Sequence, residues 1–360
     1  MVKLMRSSLA TSVVEWFRAA GGRTGAYTVA KVEQISRPAS RPPRATCGLA
    51  IELAPAAGGP AVRFAVEAQE RVSPLLAIGI LQRMVESCPD GVPTLCSRII
   101  SERVAELCRA QEVSYLDEAG NCRLSAPGFF LQVEGRKPVR AAKRGQVDPF
   151  AAKSSRIARV LLGSPRRAWQ LQELADEGQV SIGLVAKVKR VLLEQAFVED
   201  RERRLHLRDP KGLLEAWATA YESSGERTVV YLMKKTSEAE GSIAHWCAEN
   251  QVRCALTDLA GAWRSAPSVR YQQSTVYVER KDDTDVVKEL VESLGAKRVE
   301  TGANIVLAVP EDPFVLYQSR TIDGIDVVSP LQLYLDLRKQ PGRGEEAAQD
   351  ILKREIMPTW

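Results

Sequence analysis

Between Ser155 and Arg208 the apolar positions recur at helical spacing three times in succession and then alternate. Ile157, Val160 and Leu161 mark a first helix over 155–162, closed by Gly163-Ser164-Pro165. A second opens near Trp169 and turns Leu171, Leu174 and Ala175 inward, with Gly178 placed for a left-handed C-cap. Ser181 suits the N-cap of a third helix that buries Ile182, Val185, Val188 and Leu192. Ala196-Phe197-Val198 then begins a strand, Arg201, Glu202, Arg203 and Arg204 turn it, and Leu205-His206-Leu207 returns. Three short helices followed by a charged hairpin predict a winged helix-turn-helix.

Strands and helices alternate on the N-terminal side. An amphipathic helix carrying Val13, Val14, Trp16 and Phe17 is expected to end at Gly21-Gly22, and residues 37–60, rich in Pro, Ala and Gly, read as loop. Strands are predicted at 62–66, 94–96, 113–116 and 129–133, and helices at 75–85 and 101–110, with a turn at Gly120-Asn121. The pattern describes an α/β domain.

On the C-terminal side, helices are predicted at 210–221, 242–250 (capped by Ser242), 255–263, 285–294, 330–338 and 344–356. Strands are predicted at 228–233, 275–279, 304–309, 314–317 and 325–328, giving an α+β domain. The whole chain is thus an α+β multidomain protein: an N-terminal α/β domain over 1–140, a basic linker over 141–152, the winged helix over 153–210 and the α+β domain over 211–360.

Composition adds location and charge. Of 360 residues, 45% are hydrophobic and 26% charged, ordinary for a globular protein, and no apolar run is long enough to span a bilayer. No signal peptide is legible, so a cytoplasmic protein is expected. The seven cysteines, Cys47, Cys88, Cys96, Cys108, Cys122, Cys247 and Cys254, include no CxxC pair and read as buried thiols. Cys247 and Cys254 beside His245 are the one thiol grouping that suggests metal, and with only two histidines a metal site is not expected there.

The net charge of +5 is matched by the segment 153–211 alone, which holds thirteen Lys/Arg against eight Asp/Glu. Arg136, Lys137, Arg140, Lys143 and Arg144 precede it. Basic charge localised on a helix-turn-helix points to phosphate contact with double-stranded DNA. Small residues at the start of the third helix can approach base edges, and cations along its flank can reach phosphates. The expected DNA-binding residues are Ser181, Gly183, Lys187, Lys189 and Arg190 on that helix and Arg201, Arg203 and Arg204 on the wing. The competing reading is a winged module that contacts protein.

Glu67, Asp117 and Glu134 each fall at or near a strand end, where converging carboxylates could hold Mg²⁺ for phosphodiester cleavage; surface ion pairing is the plainer explanation. Gly342-Arg343-Gly344 reads either as an anion-binding loop or as a helix-helix turn, and the turn is preferred. Asp323, Asp326 and Asp336 lack the preceding Gly-Ser that nucleotidyltransferase chemistry would need.

Two resemblances refine this. Asp117 followed by Glu134-Gly135-Arg136 resembles the restriction-endonuclease-like fold, whose site joins an Asp to a Glu-x-Lys; Arg136 stands where Lys is wanted, so the site is degenerate, with Mg²⁺ implied only if it is active. The segments YLDEAGNCRL, ALTDLAGAWRSAP, GANIVLAVP, IDGIDVVSPLQLYLDL and GRGEEAA resemble the AbiEi family of transcriptional regulators, the antitoxins of type IV toxin-antitoxin systems. That resemblance implies a DNA-binding repressor paired functionally with a nucleotidyltransferase-like toxin. In the family the winged helix is N-terminal; here it is central, behind an extra domain. Three functions follow: a regulator binding a palindrome as a homodimer, a DNA-processing or structural DNA-binding protein of a mobile element, or a metal-dependent nuclease.

Overall fold

The computed structural model describes residues 8–34, 48–87, 91–137, 147–281 and 284–360. The expected linker 141–152 is described only from Val147, and Arg140, Lys143, Arg144, Cys47 and Cys88 lie outside the described residues. The protein is mixed α/β and divides into two compact units, Met1–Gln146 with Glu194–Ala196 and Val147–Leu193 with Phe197–Trp360.

In the first unit, α1 (Ser8–Thr24) precedes β1 (Tyr27–Gln34), β2 (Gly48–Pro55) and β3 (Val62–Gln69); α2 (Pro74–Ser87), β4 (Val92–Ser97), α3 (Glu102–Ala110), β5 (Ser114–Asp117), β6 (Cys122–Ala126) and β7 (Phe129–Val133) follow. The seven strands form one sheet in sequence order. β3, β4 and β5 are parallel and the other neighbours antiparallel. Val13 and Phe17 of α1 share a core with Ile51, Leu53, Phe64 and Leu116. Ile80, Leu81 and Val104 of α2 and α3 share another with Leu95 and Tyr115. Alternate residues of β4 and β5 thus serve opposite faces.

Two expectations fail in this unit. The first helix runs through Gly21-Gly22 to Thr24, because Gly21 leaves room for Tyr27: a Cβ there would lie 2.6 Å from the Tyr27 carbonyl oxygen. From Gly48 the stretch expected as loop is β2, whose Leu49, Ile51 and Leu53 alternate into the core. The Pro- and Gly-rich composition around it hides that period.

In the second unit, α4 (Ala152–Gly163), α5 (Leu171–Glu177) and α6 (Ile182–Glu194) lead to the ribbon of β8 (Val198–Arg201) and β9 (Arg204–Leu207). After α7 (Pro210–Ala220) come β10 (Gly225–Tyr231), α8 (Thr236–Glu249), β11 (Cys254–Thr257), α9 (Asp258–Ser265), β12 (Ser274–Val278), α10 (Val286–Ser293), β13 (Lys297–Arg298), β14 (Ile305–Pro310), β15 (Arg320–Ile322) and β16 (Ile325–Val327), closed by α11 (Pro330–Leu337) and α12 (Gly344–Ile351). The sheet order is β13-β10-β14-β12-β11-β16-β15. One continuous core joins the three helices and the ribbon to this sheet, running from Ile157 and Leu192 through Trp217 to Leu333 and Ile351.

Several local expectations are corrected. Gly178 is right-handed (φ −76°) and Gln179 carries the left-handed turn (φ 51°); Gly178 is needed instead for closeness, since a Cβ would sit 3.0 Å from the Leu174 carbonyl oxygen. Cys254–Thr257 is a strand, with the helix starting only at Asp258. Ser242 lies inside α8, where its hydroxyl donates to the Glu238 carbonyl at 2.9 Å. Residues 314–317, expected as a strand, lie largely in a 3-10 turn, Pro313–Leu316, that begins with Pro313 and is capped by the Asp312 carboxylate accepting from the Phe314 N–H at 3.0 Å. Pro313 removes one ladder donor and presets the turn.

Candidate nucleic-acid interface

The short helices hold together through a buried centre: Ile157, Val160 and Leu161 of α4, Leu174 of α5, and Val185, Val188 and Leu192 of α6. Trp169 ties this centre to the ribbon. Its N–H donates to the Leu205 carbonyl at 3.0 Å, and the Leu205 N–H donates back at 2.8 Å, so the segment before α5 pairs against β9. The Arg167 guanidinium lies 3.8 Å from the centroid of the Trp169 ring. Gln170 and Glu173 form a reciprocal cap that starts α5.

α6 begins as its sequence predicts, with the Ser181 hydroxyl accepting from the Leu184 N–H at 3.2 Å. Ser181, Gly183, Lys187 and Arg190 are exposed together on its outer side. Ile182, expected in the core, is half-exposed at 50% beside them. It lies on the first turn of α6, and the partly buried Leu184 packs against the core.

The expected cations separate into two groups. Lys189 is ion-paired with Asp200 of β8 and so fastens helix to ribbon. Arg201 pairs with Glu199 at 2.7 Å, and Arg204 donates to the Ala168 carbonyl at 3.3 Å. Lys187, Arg190 and Arg203 make no ion pair among the described residues, and each is exposed or at the ribbon's turn. That turn consists of Glu202 and Arg203, both left-handed (φ 52° and 61°), the primed geometry that matches strand twist.

The three carboxylates read as a metal site are engaged otherwise. Glu67, 3% exposed on β3, accepts from the Gln69 side-chain amide at 3.2 Å. Asp117, 2% exposed, accepts from the Asn121 N–H and side-chain amide at 2.8 and 2.9 Å, and burial holds its carboxyl above the usual range. Asn121 also holds the backbone of Arg136, donating to its carbonyl at 3.0 Å and accepting from its N–H at 2.8 Å. Glu134 instead accepts from Gln132 at 2.8 Å and from Tyr115 at 3.3 Å. β6 lies between the strands that lead to Asp117 and Glu134. Among the described residues no group of three His, Cys, Asp or Glu is placed to hold a metal ion.

The other candidates resolve similarly. Gly342 turns left-handed (φ 76°), and a Cβ on Gly344 would meet the Leu337 carbonyl at 2.5 Å, as a tight helix-helix turn requires. Asp326 accepts from Thr321 at 2.6 Å, whereas Asp336 is buried behind the sheet. Cys247 and Cys254 are free thiols.

Sequence reasoning missed the buried network around Asp336. Its carboxylate accepts from Thr257 (2.6 Å), Tyr221 (2.7 Å), Gln332 (2.8 Å) and Tyr277 (3.1 Å). The Gln332 carbonyl accepts from Arg159 of α4 at 2.6 Å, and Asp312 makes a bidentate pair with Arg156 at 2.7 and 2.8 Å. α4 therefore carries two arginines anchored in the sheet half of its unit. No local pattern signals pairs separated by more than 150 residues.

The fold and the exposed cations define a mixed α/β protein whose three-helix-and-ribbon assembly shares one core with a seven-stranded sheet. Residues 206–357, beginning in the last ribbon strand, match the family model described as transcriptional regulator, AbiEi antitoxin, type IV toxin-antitoxin system. The match leaves α4, α5 and α6 outside it. No curated protein and no solved structure matches the chain. No helix among the described residues is long and apolar enough to cross a membrane.

Proposed function

We propose that the protein is a DNA-binding transcriptional regulator of the antitoxin type, using residues 153–210 as a winged helix-turn-helix. The observation that carries this reading is the shared exposure of Ser181, Gly183, Lys187 and Arg190 on one side of α6, with the Glu202-Arg203 turn on the ribbon that Lys189 fastens to it. α6 is the recognition helix. Its first turn meets base edges in the major groove, Lys187 and Arg190 meet phosphates, and Arg203 follows the backbone from the wing. Lys189 fastens α6 to the ribbon, Arg204 ties the ribbon to the segment before α5, and Arg201 is paired within its own strand. The family match over 206–357 supports regulation, with a nucleotidyltransferase-like toxin as the functional counterpart and a palindromic site bound by two copies.

Fluorescence anisotropy with duplex DNA from the upstream region tests the interface. Lys187→Ala with Arg190→Ala should weaken binding and lower the slope of log K against log salt by about 2, one per lost phosphate contact. An unchanged affinity and slope in the folded double variant would remove α6 from the interface. Co-expression with an adjacent toxin gene tests the regulatory pairing, and growth that stays arrested in the presence of this chain counts against it.

A further inference from the structure

A small cleft in the second unit opens between α4, the start of the loop after α7 and the turn after β14. Arg156 and Arg159 form one wall, and Phe150, Trp217 and Phe314 supply apolar surface. Arg159 is 4% exposed, its guanidinium lies 4.9 Å from the Trp217 ring centroid, and its Nη2 donates to Gln332. Its Nη1 is buried without a hydrogen-bond partner among the described residues. A guanidinium fork with an open arm is an expensive group to bury, and carboxylates satisfy it in the plane of the fork.

The negative groups nearby leave that position open. Asp312 is held bidentate by Arg156 and by the Phe314 N–H, Asp336 is fully engaged by four donors, and Glu222 sits exposed at the rim. About 90 Å³ lies open inside the cleft, and at about 10–15 Å³ per water on that measure it has room for about six to nine waters. That is the scale of a small organic acid.

We propose that this cleft binds a small carboxylate, its charged end completing the hydrogen bonds of Arg159 and its apolar body packing on Trp217, Phe150 and Phe314. The site is independent of the DNA-contacting face. Its ligand would rest on α4, the first helix of the proposed DNA-binding module, and so touch the element that joins that module to the sheet.

Thermal melts and titration calorimetry of the full chain with sodium benzoate, and separately with inorganic phosphate at matched ionic strength, test the proposal. Benzoate should bind saturably and raise Tm, and phosphate should not. Arg159→Met should abolish the benzoate effect. Ser224→Glu, an exposed change at the rim, should keep the fold and weaken benzoate by about tenfold or more through like-charge repulsion. The Lys187→Ala, Arg190→Ala double variant should retain the full effect. Absence of saturable benzoate binding, a response to phosphate alone, or full binding in the folded Ser224→Glu variant would each overturn the assignment.

Discussion

Asp258 illustrates how much one buried side chain can govern. It opens α9 in the left-handed region (φ 52°) and is 4% exposed. Burial, with the charge of Asp336 adding to it, pushes its carboxyl from 3.8 up to about 6. The folded chain thus holds this proton more tightly than the unfolded chain does. The stabilisation is complete below pH 3.8 and is lost as pH rises through about 6. Asp258→Asn, which tolerates the same backbone, should therefore exceed the native chain in stability at pH 8 and lose that advantage at pH 4. Urea denaturation at the two pH values measures it; an advantage independent of pH would refute the titration. Gln332 is a second such residue, because it hydrogen-bonds both the buried Arg159 and the buried Asp336. Gln332→Ala should cost about 2–4 kcal/mol in the same measurement, since both ions lose a partner without gaining water.

At the scale of elements, the ribbon turn carries backbone strain, and on the proposed DNA-binding reading it sets function against local stability. Glu202 and Arg203 both occupy the left-handed region that Asn and Gly adopt with less strain. Glu202→Asn with Arg203→Gly should raise stability by about 0.5–1 kcal/mol in thermal melts. The same change should weaken DNA binding by removing a wing cation. A variant that is more stable and binds DNA as well as the native chain would exclude Arg203 from the interface. Element boundaries were mostly legible where a period and a cap agree: α6 begins after Ser181 with the expected side chain accepting a backbone N–H, and α3 after Ser101 and α10 after Asp285 begin with the same kind of contact, which their sequence reading had not assigned. They were lost where composition contradicts period, as in β2, or where a strand passes straight into a helix, as at Thr257 and Asp258.

At the scale of the molecule, the three helices and the ribbon share one core with the C-terminal sheet, and Arg156 and Arg159 cross between them. Residues 147–360 should therefore unfold in a single transition, and a fragment ending at 208 should show no cooperative melt; differential scanning calorimetry of the two chains decides this. Hydropathy and spacing were enough to place the helices, the ribbon and the cationic face of α6, because each depends on residues a few positions apart. Which cations stay free of partners was not legible: Lys189, Arg201 and Arg204 look like Lys187, Arg190 and Arg203 until the partners on the ribbon and before α5 are in place. Nor could the sequence tell that Asp117 is taken by its own turn, or that Arg159 and Asp336 meet through Gln332. Local interactions fix period, caps and turns, so the sequence alone determined the elements and the location of positive charge. Burial and ion pairing depend on distant residues brought together, so only the tertiary structure decided which charged groups hold the protein together and which remain for a ligand.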